Sequence, residues 1–179
     1  MNTLAIPSQI VALLTFPGVV LHEVVVQLLC RRLRIAMGHV CYIRFGSPAG
    51  YVIHEPPADL CQAFVLGLGP FFVNSILGAV IAFPAIFPAL EFRVSTTGDY
   101  ALAWLGVSIA MHAFPSADET GELWRAVWSP RGSILTRLFA TPLVAFMYGG
   151  ALGRLICLDL LYGIGVVVLG PALLVYTLP

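Results

Sequence analysis

The stretch FPGVVLHEVVVQLLCRRLR, Phe16 to Arg34, decides how the chain is read. No charged residue precedes it. It carries His22 and Glu23 in the middle of an apolar run and closes on Arg31, Arg32 and Arg34. An apolar run that ends in arginines reads as a membrane helix with a basic flank. A His-Glu pair inside it suggests the zinc-hydrolase pattern H-E-x-x-H. Residue 26, where the second histidine should stand, is valine.

The whole chain supports a membrane reading. Of 179 residues, 59% are hydrophobic and 10% charged; a soluble domain carries about 25% charged residues. The formal net charge is zero, so there is no electrostatic footprint for a nucleic acid, and the lipid bilayer is the expected partner. All the basic residues are arginine. Cys30, Cys41, Cys61 and Cys157 are widely spaced and form no C-x-x-C, as expected of reduced thiols. The N-terminus lacks the basic flank and small-residue cleavage site of a signal peptide, so it is read as mature chain.

Crossing a bilayer takes about 20 apolar residues. Five runs fit, at about 6–29, 59–90, 100–114, 134–156 and 158–178. The second is long enough to tilt or to break at Pro70 or Pro84. The expected fold class is therefore an all-α polytopic membrane protein of about five transmembrane helices, in one domain over 1–179. Between the first two runs, RIAMGHVCYIRFGSPAGYVIHEPP holds β-formers on either side of the turn chemistry FGSPAG. This predicts a small β-hairpin over about 34–53, with Gly50 at a turn or a close backbone approach. Backbone of this kind at membrane depth has to be buried in protein.

Arginine counting sets the orientation. Arg31, Arg32, Arg34 and Arg44 fall between the first two runs. Arg125, Arg131 and Arg137 follow the third. Only Arg93 and Arg154 fall on the other side. The positive-inside rule then puts the hairpin in the cytoplasm and the N-terminus outside, in the cell membrane. This gathers His22, Glu23, His54, His112 and Asp118 toward one face. Ionisable groups are costly in hydrocarbon, so a functional site is the default expectation there.

Zinc-assisted hydrolysis suits such a set. Catalytic zinc takes three protein ligands from His, Asp or Glu and keeps one position open for water, and a neighbouring glutamate can take the water's proton. Val26 cannot bind metal. Gln27, five residues from His22, points about 140° away from it. Each residue also has a plainer reading. His22 and Glu23 could be a buried hydrogen-bonded pair, His112 a helix cap, Asp118 an N-cap, and His54 an interfacial residue. Trp124 and Trp128, at helical spacing, read as an interfacial anchor.

Four pieces, in order, resemble the intramembrane metalloproteases of the site-two protease type. FPGVVLHE resembles the start of their catalytic helix, and SPAGYV (47–52) the strand that follows it. GPFFVN (69–74) resembles the G-P-x-x-N of the next helix, with one extra residue. HAFPSAD (112–118) resembles the region of the aspartate ligand. The resemblance implies zinc as cofactor, His22 and Asp118 as ligands, and Glu23 as catalytic base. It also implies an extended substrate held near Gly50, Tyr51 and Asn74. The chain departs from the pattern at Val26, in having Asp-Glu where the family has Asp-Gly, and in a shorter Pro-to-Asp spacing. The missing ligand could come from His112 or His54, which would be a rearranged site. Two alternatives are a non-catalytic relative that binds or scaffolds another membrane protein or peptide, and a small proton or ion transport subunit.

Overall fold

The computed structural model describes residues 5–46, 48–129, 133–154 and 157–177; Ser47, Arg131, Leu155, Ile156 and Leu178 of the expected elements lie outside these. The chain is mostly helical, with α1 (Ala5–Leu14), α2 (Phe16–Leu33), α3 (Leu60–Glu91), α4 (Thr97–Met111), α5 (Ala117–Val127), α6 (Ile134–Gly153) and α7 (Leu158–Thr177). Two short strands, β1 (Met37–Cys41) and β2 (Tyr51–His54), follow α2. They pair antiparallel, with Val40 opposite Val52 and Cys41 opposite Tyr51. The expected hairpin is present.

Helix α3 is the axis on which the rest is arranged. Asp59 starts it as an N-cap, accepting from the Gln62 N–H at 2.8 Å. It runs unbroken through Pro70, Pro84 and Pro88 for 32 residues, roughly 48 Å at 1.5 Å per residue. None of the three breaks it, Pro70 and Pro84 included.

The other helices follow α3 in order. From Gly18 to Leu29, α2 descends it: His22 lies at Asn74, and Leu29 lies at Gly69. Gly106 of α4 packs on Gly78 and Ala82, and Leu123 of α5 packs on Gly67, so α4 and α5 also descend. A Cβ at Gly78 would come within 2.6 Å of the Gly106 carbonyl oxygen, so the two glycines let these backbones touch.

Helix α6 then climbs. Ala140 and Val144 share a core cluster with Ala63 and Leu123, and Phe146 reaches Phe71. Helix α7 continues the climb, with Tyr162 at Phe71 and Ser75, and Val167 with Ala82 and Ala110. α6 and α7 therefore both rise past Phe71, α6 packed chiefly on α5 and α7 on α3 and α4. The count of five spans is not confirmed. Three helices, α3, α6 and α7, are each long and apolar enough to cross a membrane.

Three of the four resulting runs are divided into two helices each: α1/α2 at Thr15, α4/α5 at residues 112–116, and α6/α7 after Gly153, with α7 starting at Leu158. Arg154, expected at the face opposite the hairpin, instead sits at the last of these breaks. Its Nη2 donates to the Phe114 carbonyl at the second break. The charge finds a partner among backbone carbonyls that the break sets free.

Candidate functional site

The site forms where the α4/α5 break meets α2 and α3. Helix α4 ends at His112, whose N–H reaches Ile109 O at 3.2 Å and whose Nδ1 donates to Ser108 O at 2.9 Å. The cap leaves the His112 carbonyl unpaired by the helix, and two side chains take it. His22 Nδ1 donates to it at 2.8 Å and Asn74 Nδ2 at 3.0 Å. The plainer reading of His112, a helix cap, matches its geometry: its imidazole faces Ser108, and its backbone faces His22.

Close approach of α2 and α4 makes this possible. A Cβ at Gly18 would lie 1.9 Å from Ser108 O and 2.7 Å from His112 Nδ1. The Gly18 N–H donates to Ser108 Oγ (3.1 Å), which donates onward to Thr15 O (2.9 Å). Trp104 Nε1 donates to Leu14 O at 3.2 Å. The Leu14 and Thr15 carbonyls at this break thus accept from α4, Thr15 O alongside the Gly18 N–H at 3.0 Å.

With Nδ1 donating, a neutral His22 presents Nε2 as an acceptor. That nitrogen faces Glu119 Oε1 at 3.6 Å, the one ion pair among the described residues. A lone pair facing a carboxylate requires a proton or a cation between them. Glu119 is placed by its own helix start. Ser116 caps α5, and Glu119 reaches back to the Ser116 N–H at 2.6 Å, forming a capping box. Glu119 lies outside the candidate spans. Burial pushes its carboxyl upward, but the bond and charge of His22 and the Ser116 donors outweigh this and hold it at about 2, below the ordinary 4.5.

Glu23 faces the hairpin. Gly50 is buried against it, and a Cβ there would meet Glu23 Cγ at 2.8 Å and Tyr42 O at 2.9 Å. Tyr51 opens β2 directly beside this contact. Asn74 is fully buried, and its Oδ1 has no partner among the described residues.

The expected residues therefore separate into two groups. His22, Glu23, Gly50, Asn74 and the His112 backbone converge. Asp118 is exposed one position away from the residue that faces His22. His54 turns its Nδ1 to Glu55 O at 2.9 Å, although its side chain lines a narrow space with Val26, Glu119 and Glu122. That space holds about 10 Å³, room for roughly one water. Gln27 is used elsewhere, accepting from Tyr42 OH at 2.8 Å.

Sequence reasoning missed Glu119. The signal was present: Ser116-x-x-Glu119 is a capping-box spacing, which sends the glutamate back across the helix start. Among the described residues no three His, Cys, Asp or Glu side chains are arranged to share a metal ion. His22 and Glu119 are two candidate donors, one short of the three that catalytic zinc takes. Comparison with protein-family models, curated proteins and solved structures finds no match.

Proposed function

We propose that this chain is a site-two-protease-like integral membrane protein that keeps the arrangement of the hydrolytic site without its third ligand. Its role is to bind a segment of another membrane protein beside the hairpin rather than to cleave it. The observation that carries this reading is the pairing of His22 with Glu119 at a position where residue 26 offers only a valine. The two-stranded sheet supports a binding role. Each strand has one partner, so an edge remains that can accept an extended segment. Ile53 of β2 is exposed.

The orientation follows from where the arginines stand along α3. Arg31, Arg32, Arg34, Arg125 and Arg137 belong to the end where α3 starts, and Arg93 to the other; Arg44, counted with the first set in the sequence, stands instead at the hairpin tip against α1. We place the hairpin base in the cytoplasm of the cell.

One observation favours a second, metal-dependent reading. His22 is held through Nδ1 by a backbone carbonyl, the usual support for a histidine that ligates through Nε2. Two donors on a tetrahedral zinc at about 2.0–2.1 Å stand roughly 3.3 Å apart, close to the 3.6 Å between His22 and Glu119.

Metal analysis of the purified protein in nanodiscs, with cleavage assays on a membrane-spanning peptide, decides between the two. The binding reading expects substoichiometric zinc and no cleavage above a Glu23→Gln control. It also expects a photoreactive residue replacing Ile53 to yield one discrete adduct, lost in Val52→Pro. Stoichiometric zinc that His22→Ala and Glu119→Gln both remove, together with Glu23-dependent cleavage, refutes it.

A further inference from the structure

Arg44 stands at the tip of the hairpin, beyond Glu23 and level with the far side of the Thr15 break. Its tip loop forms a groove of about 140 Å³ with α1, lined by Gln9, Ala12 and Leu13 on one side and Ile43, Arg44 and Phe45 on the other. The α1 residues precede Thr15, whose carbonyl is tied to Ser108 one turn above His112. The groove therefore lies well inside the length of α3 and away from the Arg31–Arg34 end. If about 30 Å of the 48 Å body is hydrocarbon, the groove falls in its outer part.

A cation there is costly without an opposite charge. Arg44 is exposed, and the carboxylates of the described residues do not pair with it; its Nε donates to Pro48 O at 3.0 Å. Its guanidinium carbon lies 4.8 Å over the ring of Tyr51, the first residue of β2. The guanidinium is therefore oriented at the end of the strand edge, with further N–H donors to offer.

Resting on the binding role argued above, we propose that the partner is an apolar membrane segment carrying one Asp or Glu carboxylate, which pairs with Arg44 in the groove between α1 and the hairpin tip. Charge complementarity selects the carboxylate. Ala12, Leu13, Ile43 and Phe45 select the apolar residues around it. Continuity with β2 through Gly50 and Tyr51 lets a single segment occupy both the edge and the groove.

The test uses the full chain in phosphatidylcholine vesicles and three labelled single-span leucine–alanine peptides. These carry glutamate, glutamine or leucine at the same position in the outer-leaflet third. Energy transfer should report at least tenfold stronger association for the glutamate peptide, with Arg44→Gln abolishing the preference and Arg44→Lys retaining part of it. Equal association of all three peptides, or a preference that survives Arg44→Gln, overturns the proposal. Displacement of the glutamate peptide by oleate or phosphatidylglycerol at levels below one per protein also overturns it, in favour of a lipid occupant. The Ile53 adduct separates the two readings. An adduct that persists while the peptides fail leaves the binding role standing and removes Arg44 from it. A glutamate preference without an adduct, in a protein that holds zinc and cleaves, removes the binding role and leaves the Arg44 site.

Discussion

Replacing Val26 by histidine tests whether the site is one ligand short. Residue 26 lies one turn beyond His22 on the same face of α2 and lines the same narrow space as Glu119. Val26 is 2% exposed and belongs to a cluster with Cys30, Ile35 and Leu66. An imidazole is larger than an isopropyl group, and the adjoining space holds only about 10 Å³. Overpacking costs about 1–3 kcal/mol, and an unpaired buried polar group costs about 1–3 kcal/mol more. The metal-free variant should therefore be destabilised by roughly 2–6 kcal/mol relative to wild type. Zinc held by His22, Glu119 and the introduced side chain should reverse this. At about 1,000-fold excess over its dissociation constant, a ligand returns about 4.1 kcal/mol. Thermal unfolding of Val26→His in nanodiscs, with and without zinc, should show a metal-dependent rise on the order of 10 °C; wild type should show little. Metal content should approach one zinc per chain and fall when Glu119→Gln or His22→Ala is added. The reasoning is refuted if Val26→His neither retains zinc nor gains stability from it. It is equally refuted if Asp118→Asn, and not Glu119→Gln, empties the site.

Three further outcomes follow from the geometry. Gly18→Ala should cost about 3 kcal/mol or more by overpacking against Ser108 O, whereas Gly121→Ala, which meets nothing within 4 Å, should be neutral or stabilising by up to about 1 kcal/mol; melting temperatures of the two variants check this. Ser116→Ala should destabilise by about 0.5–2 kcal/mol through loss of the cap, and should shift the nitrogen resonances of His22 as Glu119 is released. Because the Glu119 pKa falls from 4.5 to about 2 on folding, its contribution is complete above the unfolded value and drains away as pH drops toward 2; between pH 5 and 3 the wild type should lose more stability than Glu119→Gln, and parallel curves would contradict this.

Hydropathy and turn chemistry made the helices and the hairpin legible because they depend on local pattern. The Val40 and Tyr51 strands and the Gly50 contact were readable for that reason. The common direction of α6 and α7 was not, since a run of apolar residues carries length but no direction, and direction is set by partners such as Phe71 and Ala82 far away in sequence. Asp118 and Glu119 show the same limit at the scale of one residue. Spacing from a family pattern pointed to Asp118, but the Ser116 cap fixes the rotation of α5, and that rotation turns Glu119 inward. His112 was legible as a polar outlier. That it would serve through its carbonyl was not, because composition says nothing of which backbone groups a helix end leaves unpaired.

The three interrupted runs bear on how the chain enters a membrane at all. The first two breaks turn backbone carbonyls toward other runs, whose side chains donate to them: Trp104 to Leu14 and Ser108 to Thr15, His22 and Asn74 to His112, and Arg154, from the third break, to Phe114. A run inserted alone would carry those groups into lipid, at several kcal/mol for each one unsatisfied. Helix α3 runs without a break, although Pro70, Pro84 and Pro88 each lack the N–H that would pair a carbonyl one turn back. Biogenesis should therefore depend on delayed release from the insertion machinery, with the first run held beside it until the third arrives and the third until the last. Truncation after α5 should leave a chain that is retained or degraded rather than a smaller membrane protein.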